Sequence, residues 1–191
     1  MAGSLNSGFL SRSALEALGF KKLGTDVLIH STAVIVDCGT ISLGSRIRID
    51  PYVIISAQGE VEFGDNIHVS ANAVLAGQSG IRLEDFASVG HNVRILTSTD
   101  NYRGMVNSTI PDRFRNLRTT PIHLGRHSCI ATVTILIPGA KLGEGSVVGA
   151  LSLVGRPLKP WTVYAGVPAR RLAERPRNAL AGEREYLASL K

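Results

Sequence analysis

The sequence predicts an all-β solenoid, a chain wound into stacked three-sided coils, and three observations predict it. An apolar residue recurs every six positions in runs of three: Leu23, Ile29, Ile35; Leu43, Ile49, Ile55; Phe63, Val69, Leu75; Leu83, Val89, Ile95; Leu124, Ile130, Leu136; and Leu142, Val148, Val154. A second residue, small or aliphatic, follows four positions after each, from Val27, Ala33 and Gly39 to Ser146, Ser152 and Leu158. The 191 residues are 44% hydrophobic but only 5% aromatic, with 20 glycines. That composition suits many tight turns around small inward aliphatics better than a helical bundle or a sandwich.

A period of six is neither helical nor a simple strand alternation, so the backbone must turn a corner every six residues. Three corners close a triangular coil, and stacked coils turn each side into a short parallel sheet with the lead residue pointing inward. The first four blocks are spaced by 20 residues and the last two by 18, so the early coils carry two extra residues and six coils result. Gly24, Gly44, Gly64, Gly125 and Gly143, one past the lead, are expected to take the corners.

The remaining elements follow in order. Residues 1–22 form a helical cap over the open end: Ser13-Ala14-Leu15-Glu16 has the capping-box pattern, and the helix should stop near Gly19. The solenoid domain runs over 23–171. It is broken once, from Leu96 to Pro121, a length uncommon for an unstructured connection unless it serves a function. This lid carries Tyr102, Phe114 and the basic Arg103, Arg113, Arg115 and Arg118, so it can pack through its aromatics and present charge to a ligand. Residues 172–191 form a tail, with a short helix over Ala181 to Leu190 that carries no recognisable chemistry.

Several classes are disfavoured. No stretch approaches about 18 consecutive apolar residues, so no membrane span is expected. No basic n-region leads into an apolar h-region at the start, and a cytoplasmic location is the default. Cys38 and Cys129 are too few for a disulfide framework and are read as buried thiols. Net charge is +6, and eight basic residues against three acidic ones lie from Arg156 onward. Such a basic end attracts phosphates. It lacks a nucleic-acid reader motif and holds only Trp161, Tyr164 and Tyr186 as stacking platforms, so a phosphorylated small molecule fits better than nucleic acid. Of the five histidines, only His123 and His127 are close in sequence, and no third shares their column, which argues against a zinc site.

The run Pro138-Gly139-Ala140-Lys141-Leu142-Gly143-Glu144-Gly145-Ser146-Val147-Val148-Gly149-Ala150, followed by Pro160-Trp161-Thr162-Val163-Tyr164-Ala165-Gly166-Val167-Pro168-Ala169-Arg170, resembles the hexapeptide-repeat acyltransferases, most closely the sugar acetyltransferases of the galactoside and maltose type and their relatives in surface-polysaccharide synthesis. The resemblance covers Leu23 to Arg171. It implies a left-handed β-helix, a homotrimer with active sites between subunits, and acyl transfer from acetyl-CoA to a sugar hydroxyl or amine, with no metal. It places Ala150, Thr132 and Gly166 along the cofactor, and Arg170 with Arg156 near its phosphates.

Where galactoside-type enzymes carry a histidine in the lid, five residues past the lead aliphatic, this chain has Asp100, and the lid contains no histidine. An unperturbed aspartate, with a pKa of about 3.9, is a weak base for a hydroxyl at neutral pH. An amine attacks a thioester once deprotonated, so a carboxylate that accepts its hydrogen bond suffices. The acceptor is therefore read as an amino sugar or nucleotide-linked sugar. His91 is a second catalytic candidate, because two positions past its lead it stacks beneath Thr132 and Ala150, and in a trimer it can meet the Asp100 of a neighbour. Ser70, Gln78, Asn101 and Tyr102 are the candidate acceptor contacts. Two alternatives remain open at this point: O-acetylation with His91 as base, and a β-helix scaffold that has lost activity.

Overall fold

The computed structural model describes residues 8–190, and over them the chain is a parallel β-helix with two short helices and one excursion. Three parallel sheets make the sides of a triangular column. The first side stacks seven strands from Lys22–Leu23 to Pro157–Leu158, the second seven parallel strands from Val27–Ile29 to Thr162–Ala165, and the third six from Val34–Val36 to Leu153–Val154. Six complete coils are followed by two sides of a seventh, built on Leu158 and Tyr164, which the six-residue blocks did not include.

Neighbouring coils pair in register, Leu43 with Phe63, Phe63 with Leu83 and Leu83 with Leu124, so lead residues stack on lead residues. From Leu43 to Val154 every lead residue is at most 4% exposed. Burying side chains of this size contributes roughly 1.5–3 kcal/mol each, and the column is one continuous core. The two-residue difference in block spacing falls at the third corner, where Val36–Thr40, Ser56–Glu60 and Ala76–Gly80 are longer than Ile137–Gly139.

The corners turn differently from expectation. The left-handed residues lie three past the lead: Asp26, Arg46, Asn66, Phe86 and His127 at the first corner, and Tyr52, Asn72, Asn92, Val133 and Leu151 at the second. The glycines one past the lead serve close approach instead. A Cβ on Gly44 would come within 2.4 Å of the Gly64 carbonyl oxygen, because each such N–H bonds directly to the coil above, as Gly44 N–H does to Phe63 O at 2.8 Å.

Helix α1 (Arg12–Ala17) buries Leu15 under the first coil. Its cap is Ser11, whose hydroxyl accepts from Ala14 N–H at 3.2 Å, and Glu16 pairs with Arg12, so the Ser13 capping box does not form. At the other end Thr162–Ala165 pairs antiparallel with Arg170–Glu174, a strand that crosses the expected boundary at residue 171. Helix α2 (Ala179–Ser189) then docks on the first corner. Both cysteines are partly exposed rather than buried thiols, and partial burial pushes each thiol above its ordinary pKa, which keeps it unreactive. No helix among the described residues is long and apolar enough to cross a membrane.

Candidate active site

The second corner is built by backbone stacking. Val133 N–H donates to His91 O at 2.9 Å and Leu151 N–H to Thr132 O at 3.1 Å, which sets His91, Thr132 and Ala150 one above another on the outside of the column. Gly166, with φ +102°, continues this edge, its carbonyl accepting from Leu153 N–H at 3.0 Å. All four residues are exposed. Among the described residues, the N–H groups of His91, Thr132 and Ala150 take no part in the hydrogen bonds that join coils. The edge therefore presents a row of open donors beside small side chains, suited to the amides of a pantetheine and to a developing oxyanion.

Residues 166–169 bend back over the third side, with Ala169 N–H on Leu153 O at 2.9 Å. Arg156 Nη2 donates to Ala169 O at 3.2 Å, which brings Arg156 beside Arg170 at the head of the column. Both are exposed and neither is paired with a carboxylate among the described residues. Two other basic residues of the tail are committed elsewhere. Arg175 donates to the carbonyls of His127 (2.7 Å) and Gly145 (3.0 Å), and Arg171 pairs with Glu174.

The lid is a β-ribbon: Ser98–Asp100 pairs antiparallel with Leu117–Thr119. Asp100 stands at the end of the first strand, its side chain 23% exposed. Its Oδ1 accepts two N–H groups from Arg115, at 3.1 Å from Nε and 2.8 Å from Nη2, and among the described residues nothing donates to Oδ2. Arg115 is 12% exposed and also holds Asp112. The turn chemistry belongs to Asn101, whose Oδ1 accepts from Arg103 N–H at 3.1 Å. Tyr102 is 87% exposed and Phe114 55%, so the lid does not pack on its own column through its aromatics.

The structure thus divides the candidates into two groups. Ser70, one coil below and 5% exposed, lies with His91, Thr132, Ala150 and Gly166 on the second corner, and Gln78, Asp100, Asn101 and Tyr102 lie at or beyond the third, while Arg156 reaches from the third corner to Ala169 beside Arg170. The third side, six residues from His91 to Thr97, keeps the groups on the order of 15–20 Å apart within one chain. Two clefts of the single chain lie elsewhere, one of about 490 Å³ over the first side beside Glu62, Arg82 and Arg126 and another of about 650 Å³ beside Trp161 and Arg177, and neither holds a candidate residue, whereas a smaller one of about 200 Å³ between Leu153, Pro168 and Ala169 is lined by Arg156.

Four sets of pairings went unread in the sequence. Arg115 was one of four equivalent lid arginines, and only the ribbon register singles it out. Asp50, beneath the second corner, accepts from Arg48 Nε at 2.6 Å and pairs with His68 Nε2 at 2.8 Å. Burial alone would raise its pKa, but these two partners hold it below the ordinary carboxylate range. His127 and Glu183 meet at 2.7 Å and pin α2, and Arg126 also reaches Glu183. Burial, with Arg126 and Arg175 nearby, pushes His127 below its ordinary value. His123 is likewise taken by Glu84, at 2.8 Å.

A ladder of hexads, an open corner and a lid define the hexapeptide-repeat class, and comparison with known proteins narrows it. No family model matches the chain. It is 31% identical over 184 residues to a dTDP-4-amino-4,6-dideoxy-D-glucose acyltransferase of Escherichia coli, a match that covers 95% of this chain and 96% of that one. The structure of AntD, an N-acyltransferase from Bacillus cereus in complex with dTDP and 3-hydroxybutyryl-CoA, superposes with a TM-score of 0.92 at 34% identity, over 97% of this chain and 99% of that one. A galactoside O-acetyltransferase of E. coli K12 is 39% identical over only 54 residues, 28% of this chain and 27% of that one. The chain belongs to the left-handed β-helix sugar acyltransferases. It is an enzyme that takes its acyl group from a coenzyme A thioester, which sets aside the scaffold alternative.

Proposed function

We propose that this enzyme is a cytoplasmic homotrimer that transfers an acetyl group from acetyl-CoA to the amino group of a nucleotide-linked amino sugar destined for a surface polysaccharide. The observation that carries the choice of an amine is Asp100. A carboxylate whose Oδ1 is fixed by a guanidinium has Oδ2 left to accept a hydrogen bond, and an amine has one to give. The activity of the E. coli relative and the dTDP held by AntD support the nucleotide-linked acceptor.

Two features support a trimer. The outward positions of the third side are mostly apolar, with Val34 52%, Val36 43%, Ile54 39% and Ile135 38% exposed, whereas those of the first side include Lys22, Ser42, Glu62, Arg82, His123 and Lys141. An apolar face of this extent is covered in a stable protein. The separation of His91 from Asp100 gives the second reason, because a neighbouring copy set against the third side brings its lid to this chain's second corner and closes the groove.

In the reaction, Thr132, Ala150 and Gly166 hold the pantetheine, Arg156 and Arg170 the phosphates, and Ser70, Gln78, Asn101 and Tyr102 stand along the acceptor's path. The neutral amine, oriented by Asp100 of one subunit with His91 of the next, attacks the thioester carbonyl. The C–N bond forms while corner N–H groups hold the oxyanion. Collapse breaks the C–S bond, and the proton lost by nitrogen ends on the coenzyme A thiolate, giving an amide and a thiol. Thiol release measured with nucleotide-linked amino sugars, free amino sugars and simple glycosides tests the reading. Turnover only with amines is expected; turnover on glycosides at comparable rates establishes O-acylation with His91 as base instead.

A further inference from the structure

The second corner changes chemistry at the coil of His91. Its left-handed residues above that coil are Val133 and Leu151, apolar and 43% and 68% exposed; level with it and below they are Asn92, Asn72 and Tyr52, polar or aromatic. The upper half suits a pantetheine arm. The lower half is therefore where the acceptor must lie. On the third side beside it stands Arg94, the one charged residue among that side's outward positions, in line with Val34, Ile54, Val74, Ile135 and Leu153.

Arg94 Nη1 donates to Asn72 O at 2.6 Å and to Val93 O at 3.3 Å, so its guanidinium reaches the coil below His91. Among the described residues it has no carboxylate partner. Arg48, across the corner, is by contrast occupied by Asp50 and lies over the Phe9 ring at 5.4 Å. A guanidinium set into an apolar face that a second copy covers is costly unless an anion meets it. Its planar fork matches the paired oxygens of a diphosphate. Tyr52 is 56% exposed, two coils below His91. At about 4.8 Å per coil this is roughly 10 Å, on the order of the span of a sugar and diphosphate between an amine and a base.

We infer that Arg94 holds the diphosphate, and Tyr52 the base, of the acceptor's nucleoside diphosphate, along the second corner below His91. The inference rests on the nucleotide-linked acceptor proposed above. Calorimetry of the intact protein with thymidine diphosphate, thymidine and coenzyme A tests it in wild type, Arg94→Gln and Tyr52→Ala. Arg94→Gln, which keeps a donor for the Asn72 carbonyl, is expected to weaken thymidine diphosphate by about 10-fold or more and to leave thymidine and coenzyme A within about 2-fold. Tyr52→Ala is expected to weaken thymidine and its diphosphate alike, by about 5-fold or more.

Unchanged diphosphate affinity in both variants overturns the assignment, as does a parallel loss of coenzyme A affinity, which marks a structural role. Wild type that binds no thymidine diphosphate yet acylates free amino sugars overturns the nucleotide-linked reading itself. Should Arg94→Gln not assemble, phenylglyoxal labelling of wild type decides: thymidine diphosphate, but not coenzyme A, must protect Arg94. An Arg94 already shielded without ligand belongs to a carboxylate of a neighbouring copy, and the inference fails.

Discussion

Replacing Asp100 by asparagine tests the chemistry most directly. The substitution keeps the size of the side chain but turns one of its two acceptor oxygens into an NH2 donor. Arg115 needs an acceptor at 2.8 and 3.1 Å and is only 12% exposed, so it claims the remaining oxygen and leaves the NH2 facing the acceptor amine. Losing a hydrogen bond to a charged group costs about 1.5–3 kcal/mol, and at about 1.4 kcal/mol per decade that is about 10- to 150-fold in rate. Losing help with the amine proton adds to this, since positioned acid–base groups contribute about 10²–10⁴-fold. Asp100→Asn is therefore expected to lower kcat/KM by about 10²-fold or more while acetyl-CoA affinity and thermal stability stay near wild type. Thiol release at several acceptor concentrations measures the first quantity, and calorimetry the second. A variant within about 3-fold of wild type refutes the role of Asp100 and the argument for an amine built on it.

Three further outcomes are expected. Arg170→Ala weakens acetyl-CoA binding by about 10-fold in calorimetry, as loss of one phosphate contact should; unchanged affinity would put the phosphates elsewhere. Ile135→Asp places a charge on the apolar third side and should shift sedimentation from trimer to monomer with loss of activity, whereas an active trimer removes that face from the interface. Asp50 has a folded-state pKa below its unfolded one, so its contribution to stability is present above about pH 4 and fades as pH falls through the folded value. Asp50→Asn should accordingly melt lower than wild type at pH 7 and approach it as the pH falls through the folded-state value; a constant gap would show that the ion pairs with Arg48 and His68 are not the cause.

The column was legible because each coil repeats one demand, an apolar side chain in the same place, and Leu43, Phe63 and Leu83 answer it identically. Corner conformation was not legible. Gly44 advertises backbone freedom but is needed because a Cβ there would come within 2.4 Å of a neighbouring carbonyl oxygen, while Tyr52, Phe86 and Val133 bend left-handed because stacking overrules their preference. Asp100 stood out from the sequence, yet its partner Arg115 did not, since a three-residue ribbon closed by a long loop leaves no alternation to read. His127 and Glu183 are 56 residues apart on unlike elements, beyond any local pattern. The apolar third side was readable and was missed: the residue before each third-side lead is Val34, Ile54, Val74, Ile135 or Leu153 wherever it is not Arg94, and a tally of outward positions by side reveals it.

Both ends of the column reverse strand direction. At the base Phe9 bridges antiparallel to His30, with Leu10 N–H on Ile29 O and Ser31 N–H on Gly8 O, and at the head Arg170–Glu174 runs antiparallel to Thr162–Ala165. A stack of parallel coils has no internal reason to stop, because each top edge is a template for the next. The two reversals supply the reason. They put strands of the wrong direction where a second molecule would continue the ladder, and so keep a short catalytic column from growing end to end into a fibre.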